Sequence, residues 1–410
     1  MNIIVLTQHW YPDTFGGSEH VAAEQARRLA ERGHQVTVLT HYEQGYLPPE
    51  ETENIKNGRL RIVRYGRPEQ FAKWGMSLTD LRVVPALVRK LNKTEKFDAA
   101  ILHHPFPAFG FFLAKTKIPA LYVFHASTAR EAEVEGLRRK FSGAWKIFAP
   151  FFTRGFIAVT RFVEKSVLKK ARRIVLFSDY SSRILQESYP QPKDKVVKIG
   201  IGINSVLFTP PSDKKTAKEK LGLNAERPLI LTVRRLTARM GLRELLYAAE
   251  IVKRYFAKVN FLVAGEGPLK ETLVNEIGQL NLQGTVSFVG KVPLNDLPLY
   301  YQAADAFILP TAAFEGLGMA TLEALASGLP VIGTPIGATP EILNKLSPAL
   351  ITKSAKAEDL AQGVMDFLRY SEEEKESLSQ KARQLAVNDY DWNKAVEELE
   401  AIIKNVNIKM

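Results

Sequence analysis

Short apolar runs recur along the first half of the chain, at 2–7, 36–40, 60–64, 98–102, 119–124, 173–177 and 195–199. Between them apolar positions fall at helical spacing, as over 18–32 and 79–92. An apolar run of four to eight residues bounded by turn residues fits a strand buried on both faces. Strands alternating with helices predict a parallel sheet covered by helices on both sides. The clearest unit is 17–40, where Ser18 reads as an N-cap, Gly33 as the stop after Arg32, and His34 to Thr40 as the next strand.

The cluster Phe208-Thr209-Pro210-Pro211-Ser212-Asp213-Lys214-Lys215 interrupts this pattern with the composition of an interdomain linker. Alternation then resumes, with strands predicted at 228–233, 259–264, 284–288, 305–309 and 330–333. Helices are predicted at 241–256, 267–280, 294–303, 317–327 and 356–370, and the tail 372–410 reads as helical. The expected architecture is α/β, two doubly wound Rossmann-like domains, 1–205 and 206–390. Ligands of such sheets bind outside the carboxyl ends of the strands. Two such domains facing each other would set one ligand in a cleft between them.

The 410 residues suffice for two full cores, and the absence of Cys excludes disulfides, thiolate metal sites and a Cys nucleophile. The N-terminus reads as a first strand rather than a signal peptide, and no apolar stretch reaches membrane-spanning length, so a cytoplasmic location is expected. The formal net charge of +12 is concentrated: 136–173 carries eleven Lys and Arg against the single acid Glu164. The same stretch holds Phe141, Trp145, Phe148, Phe152, Phe156 and Phe162. Basic residues interleaved with aromatic ones fit an anionic membrane surface, a nucleic acid, or a solvated helix face over ordinary core residues.

Five places carry candidate chemistry. Gly16 and Gly17 precede a helix, where backbone N–H groups and the helix dipole favour an anion. Gly265-Glu266-Gly267-Pro268 closes a strand in the same way. Arg234, Arg235 and Arg239 follow the first strand of the second half, placed to clamp a diphosphate. Glu315 and Glu323 stand eight residues apart, read here as lying on one helix, with Glu323 in an apolar stretch where a carboxylate needs partners such as two ribose hydroxyls. His125 follows a strand and is placed to hydrogen-bond a substrate or shuttle a proton; His103 and His104 are weaker candidates of the same kind.

Taken together, these residues resemble the retaining glycosyltransferases of family 4, with the GT-B fold of two domains. The resemblance rests on Gly16-Gly17 with Glu19, on Arg32 to Val38, and on Gly202-Ile203-Asn204 with Phe208 and Pro210. In the second half it rests on Arg235-Leu236, Gly265 to Pro268, the spacing Glu315 to Glu323, and Gly337-Ala338-Thr339-Pro340-Glu341. It implies Glu323 on the nucleotide ribose. It implies Glu315 with the backbone of Gly316, Leu317 and Gly318 on the donor sugar and distal phosphate, and Arg235 on the leaving diphosphate. Gly16 and Gly17 would touch the diphosphate or the acceptor, and His125 the donor sugar. The family pattern has Lys where this chain has Met240, and Arg239 is expected to supply that charge. The terminal helix 391–410 is expected to pack back on the first domain.

The expected activity is transfer of a hexose from a nucleotide-sugar, a UDP-sugar in preference, to an acceptor that the basic segment points to as a lipid or lipid-linked saccharide. Alternatives are a GDP-mannose donor, a soluble acceptor, or a non-catalytic sugar-nucleotide binder. No metal or other cofactor is expected: the one Asp-x-Asp, Asp389-Tyr390-Asp391, reads as a helix start. No nucleic-acid partner is expected.

Overall fold

The computed structural model describes residues 1–13, 16–42, 48–55, 57–66, 73–135 and 149–408. The chain divides into two compact units, 1–201 together with the segment from 392 onward, and 202–391.

The first unit is built on an eight-stranded sheet. Its strands are β1 (Asn2–Leu6), β2 (Gln35–His41), β3 (Glu50–Ile55), β4 (Gly58–Tyr65), β5 (Ala99–Leu102), β6 (Ala120–Val123), β7 (Arg173–Leu176) and β8 (Val196–Lys198). Their spatial order is β3-β4-β2-β1-β5-β6-β7-β8. The order reverses beside β1, which pairs in parallel with both β2 and β5. β1, β5 and β6 are almost wholly buried, as continuous apolar runs covered on both faces must be.

β3 is absent from the sequence reading. Glu-Glu-Thr-Glu-Asn-Ile has no apolar run, and β3 alternates between exposed and half-buried positions while pairing antiparallel with β4. It is an edge strand, and its glutamates are the charged side chains that keep an edge from pairing with another chain. Ser18 is also not the N-cap. The helix Gly17–Glu31 begins two residues earlier than that cap implies, with Gly16 at its cap, and the Ser18 hydroxyl donates to Glu19 Oε2 at 2.9 Å.

The helix Trp392–Ile408 belongs to this first unit and lies against the helix Gly17–Glu31. Arg32 Nε donates to Glu400 Oε2 at 2.6 Å, and His34 Nε2 lies 3.4 Å from Glu400 Oε1. Burial alone would raise the Glu400 carboxyl. Lys404 and Arg32 outweigh it and hold the group at about 2.

The second unit carries a five-stranded parallel sheet in the order β11-β10-β9-β12-β13. Its strands are β9 (Leu229–Val233), β10 (Asn260–Ala264), β11 (Val286–Gly290), β12 (Ala306–Leu309) and β13 (Val331–Gly333). The cluster read as a linker, 208–215, folds inside this unit. Phe208 is fully buried edge-on to Tyr301, and Asp213 caps the helix Lys214–Lys220. The composition of that cluster reflects a helix start rather than a free connection. The helical tail is two helices, Glu372–Asp389 and Trp392–Ile408, in different units, and the second begins next to the helix start read at Asp391.

Candidate active site

In the second unit the polar residues gather where the strands end. Arg234 follows β9, Gly265 follows β10, and the segment 311–318 follows β12. Strand ends of a parallel sheet leave a crevice that no helix covers, which is where polar groups can meet a ligand.

The sequence reading placed Glu315 and Glu323 on one helix; the structure corrects this. The helix runs Met319–Ala326, with Gly318 at its N-cap. Glu315 therefore lies in the loop before it. The loop is anchored by Gly337, whose φ is +70° and where a Cβ would sit 2.3 Å from the Glu315 carbonyl oxygen. Ala338 N–H donates to that same oxygen at 2.9 Å. Phe314, just before Glu315, has φ +50°, a strained value for an aromatic residue. Its carbonyl accepts from Arg239 Nη1 at 2.9 Å, and Ala312 N–H donates to the Arg239 carbonyl at 2.9 Å. Arg239 thus braces the Glu315 loop.

The buried partner of Glu315 is Arg234. Its guanidinium, on a residue only 9% exposed, donates to Glu315 Oε2 and to Thr311 Oγ1, the latter at 2.6 Å. Thr311 Oγ1 also donates to Glu315 Oε2 at 3.2 Å. Sequence reasoning favoured Arg235, which is exposed. Strand β9 is buried almost throughout, so no polar-apolar alternation distinguished the two arginines.

Glu323, 7% exposed, accepts from Tyr301 Oη at 2.7 Å. Burial raises its carboxyl to about 7, against the lowering effect of the Tyr301 hydroxyl. Tyr301 was missed because it comes from the preceding helix Leu297–Ala303 in a plain aromatic pair, Tyr300-Tyr301. Gly265 has φ +141°, and a Cβ there would lie 1.8 Å from the Arg234 carbonyl oxygen. A Cβ on Gly267 would lie 2.5 Å from the Leu236 carbonyl oxygen. Both glycines let the chain pack on its own backbone at 234–236, so they shape the turn that carries Arg234 and Arg235. Gly316, Leu317 and Gly318 are half-buried along the loop.

The first unit gathers a second constellation at its own strand ends. His9 follows β1, His103 and His104 follow β5, and His125 follows β6. Gly16 and Gly17 start the adjacent helix, exposed at its first turn. Phe15, which precedes them in the motif, lies outside the described residues. The His125 ring lies end to end with His103, centroids 5.3 Å apart, and 6.4 Å from the His104 ring. Burial, with His104 close by and Glu19 opposing, lowers His125 to about 3; burial lowers His104 to about 4. Burial would raise Glu19, yet His104, His9 and its own hydrogen bonds leave it below the usual carboxylate range. His103, His104 and His125 are therefore neutral near pH 7, polar groups for hydrogen bonding rather than charges.

Glu164, the single acid of the basic segment, is 1% exposed and turned inward. It accepts from Thr128 N–H at 2.6 Å, Ser127 Oγ at 3.1 Å and Tyr189 Oη at 2.5 Å. It thereby caps the helix Thr128–Glu135 and holds the turn just after His125. Burial raises its carboxyl despite these bonds. Of the basic segment, 136–148 lies outside the described residues. In the remainder, the helix Ala149–Lys170, Arg154, Arg161, Lys165, Lys169 and Lys170 are exposed, beside Phe152, Val159 and Phe162.

Two α/β units in series, each presenting polar residues at its strand ends, define a GT-B fold. Sucrose-phosphate synthase from Thermosynechococcus elongatus shares that fold, with a TM-score of 0.84 at 19% identity over 100% of both chains. HepE of Anabaena, solved with UDP and glucose, aligns with a TM-score of 0.74 at 18% identity over 99% of this chain and 100% of HepE. The glycosyltransferase family 4 model matches residues 15–207, and the glycosyl transferases group 1 model matches 213–385. The chain belongs to this family and is a glycosyltransferase. Among its curated relatives is the alpha-monoglucosyldiacylglycerol synthase of Streptococcus pneumoniae, 23% identical over 99% of this chain and 87% of the relative.

Proposed function

We propose that the protein moves a hexose, with retention at the anomeric carbon, from a UDP-sugar to a lipid or lipid-linked acceptor at a membrane surface. The observation that carries this reading is Glu323, a buried carboxylate whose one side-chain hydrogen bond among the described residues comes from Tyr301. A carboxylate in such a place is stabilised by two vicinal hydroxyls, which a nucleotide ribose offers. Glu315 and the backbone N–H groups of Gly316, Leu317 and Gly318 then serve the sugar and distal phosphate. Arg235, exposed beside the pair, and Arg239 supply positive charge for the departing diphosphate. In the first unit His125 offers a hydrogen bond to the transferred sugar, and Gly16 and Gly17 offer backbone N–H groups to an anionic or hydroxyl-bearing ligand.

In this reading the bond from the anomeric carbon to the diphosphate oxygen breaks, the bond to the acceptor oxygen forms on the same face, and the diphosphate takes the acceptor proton. Arginines and the loop amides stabilise the leaving group in place of a metal. A chelator is expected to leave turnover unchanged; loss of turnover restored by added Mg²⁺ or Mn²⁺ would overturn metal independence. Calorimetric titration of UDP, GDP and ADP tests the donor. Tight binding of UDP alone supports a UDP-sugar, tight binding of GDP alone would replace it with GDP-mannose, and binding of none would refute the nucleotide site.

The lipid acceptor is supported by the relative named for glucosyldiacylglycerol synthesis and by the helix Ala149–Lys170. Phe162 is 64% exposed and Val159 46%, amid cations whose stems cover apolar surface while their heads reach anions. The protein is expected to sediment with anionic vesicles at low salt and to be released as salt rises. Absence of sedimentation with anionic vesicles at low salt would remove the membrane from the proposal.

A further inference from the structure

His103 lies at the end of β5, 2% exposed, with its Nδ1 3.0 Å from His125 Nε2. The two ring planes lie 27° apart with centroids 5.3 Å apart, the end-to-end placement that an in-plane contact between two ring nitrogens gives. We propose that His103 is a positioning residue that fixes His125 in the neutral tautomer with its proton on Nδ1, so that His125 meets a ligand as a hydrogen-bond donor and not as a base. The proposal rests on the reading of His125 as a sugar-contacting group.

Burial lowers both imidazoles, aided at His103 by His125 and His104 and at His125 by His104 against Glu19, so each carries a single N–H near neutral pH. The 3.0 Å contact between two nitrogens holds one proton. Either His103 Nδ1 donates to His125 Nε2, or the reverse. The far side of His103 decides between them. Its Nε2 is buried with no hydrogen-bond partner among the described residues. If His125 donated, the His103 proton would sit on that Nε2, a buried N–H without an acceptor. A buried lone pair without a donor is tolerated more readily than a buried orphan N–H. His103 therefore carries its proton on Nδ1 and donates it. His125 Nε2 is left as acceptor, and its own proton moves to Nδ1. The tautomer of one ring is set by the hydrogen bond at its other nitrogen. His103 thus occupies the Nε2 edge of His125, while the His104 and Phe177 rings lie beside it with centroids 6.4 and 5.7 Å away.

Nitrogen-15 NMR of the full chain with labelled histidine reads this directly, and the seven histidines are few enough to assign by substitution. His125 is expected to show a protonated Nδ1 and a bare Nε2. A protonated Nε2 in the unsubstituted protein would overturn the proposal. In H103F the His125 ring is expected to move to the Nε2–H form that predominates for imidazole in water. In H103N, whose amide N–H can take the place of Nδ1–H, it is expected to keep Nδ1–H. Equal spectra for the two variants would also overturn it. Turnover with a UDP-sugar is expected to fall on the order of tenfold in kcat in H103F, with donor KM unchanged, and to recover in H103N. H125A separates the two levels: unchanged turnover there refutes the sugar-contacting role, while the NMR result still decides what His103 does to the ring.

Discussion

Glu323→Gln is expected to cost on the order of a hundredfold in UDP affinity, the loss of two hydrogen bonds to a charged acceptor at about 1.5 kcal/mol each. Glutamine keeps the volume and can still accept from Tyr301, which donates to Glu323 at 2.7 Å. The pH dependence sharpens the prediction. The ribose hydroxyls donate to a carboxylate, so binding requires Glu323 without its proton. The free group titrates at about 7 because it is buried. UDP affinity of the unsubstituted protein should therefore be flat above about pH 7 and fall by up to tenfold per pH unit below it. The glutamine variant should show no such slope from this site. Folding has the opposite sign. A carboxyl raised on folding stabilises the fold while protonated, and that contribution is lost as pH rises from its unfolded value through about 7. Calorimetry across pH and thermal unfolding across pH should thus move in opposite directions, and equal UDP affinity in the variant would refute the ribose assignment.

Arg234→Met is expected to give the largest loss of stability, about 3–5 kcal/mol, since it leaves Glu315 buried without its cation. For a unit of this size that corresponds to roughly 10 °C in melting temperature. Combining it with Glu315→Gln should recover most of the loss, because the pair removed together leaves no orphan charge. Arg235→Met, on an exposed side chain, should change stability by less than ~0.5 kcal/mol. Thermal melts of the four proteins check the series. Equal effects of the two arginines would contradict the placement of Arg234 against Glu315 and Thr311.

The contrast between these arginines marks the limit of what the sequence disclosed. All five strands of the second unit were visible as apolar runs, since strands such as β12, Ala306–Leu309, are buried on both faces. β3 was not, because an edge strand of glutamates carries no apolar pattern and is specified by its partner β4. At the site, the spacing of Glu315 and Glu323 was legible, but their local structure was not. The helix start moved to Met319 because Gly337 and Arg239 hold the preceding loop, and both are distant in sequence. Arg234, Tyr301 and Glu164 acquire meaning only from partners 22 to 81 positions away, which no local pattern reports.

The return of the terminal helix to the first unit has a consequence for how the protein is made. The chain leaves that unit after Ile201 and re-enters it at Trp392, with 190 residues between. A ribosome adding about 5–20 residues per second needs on the order of 10–40 s to cross that interval. The helix Gly17–Glu31 must wait that long for the helix Trp392–Ile408 to pack on it and for Glu400 to reach Arg32. The second unit, encoded as one uninterrupted stretch, is fully synthesised before the first has its last piece. The nascent chain therefore completes its two halves in the reverse of their order of appearance, and the first half is the one that a chaperone or a protease meets open.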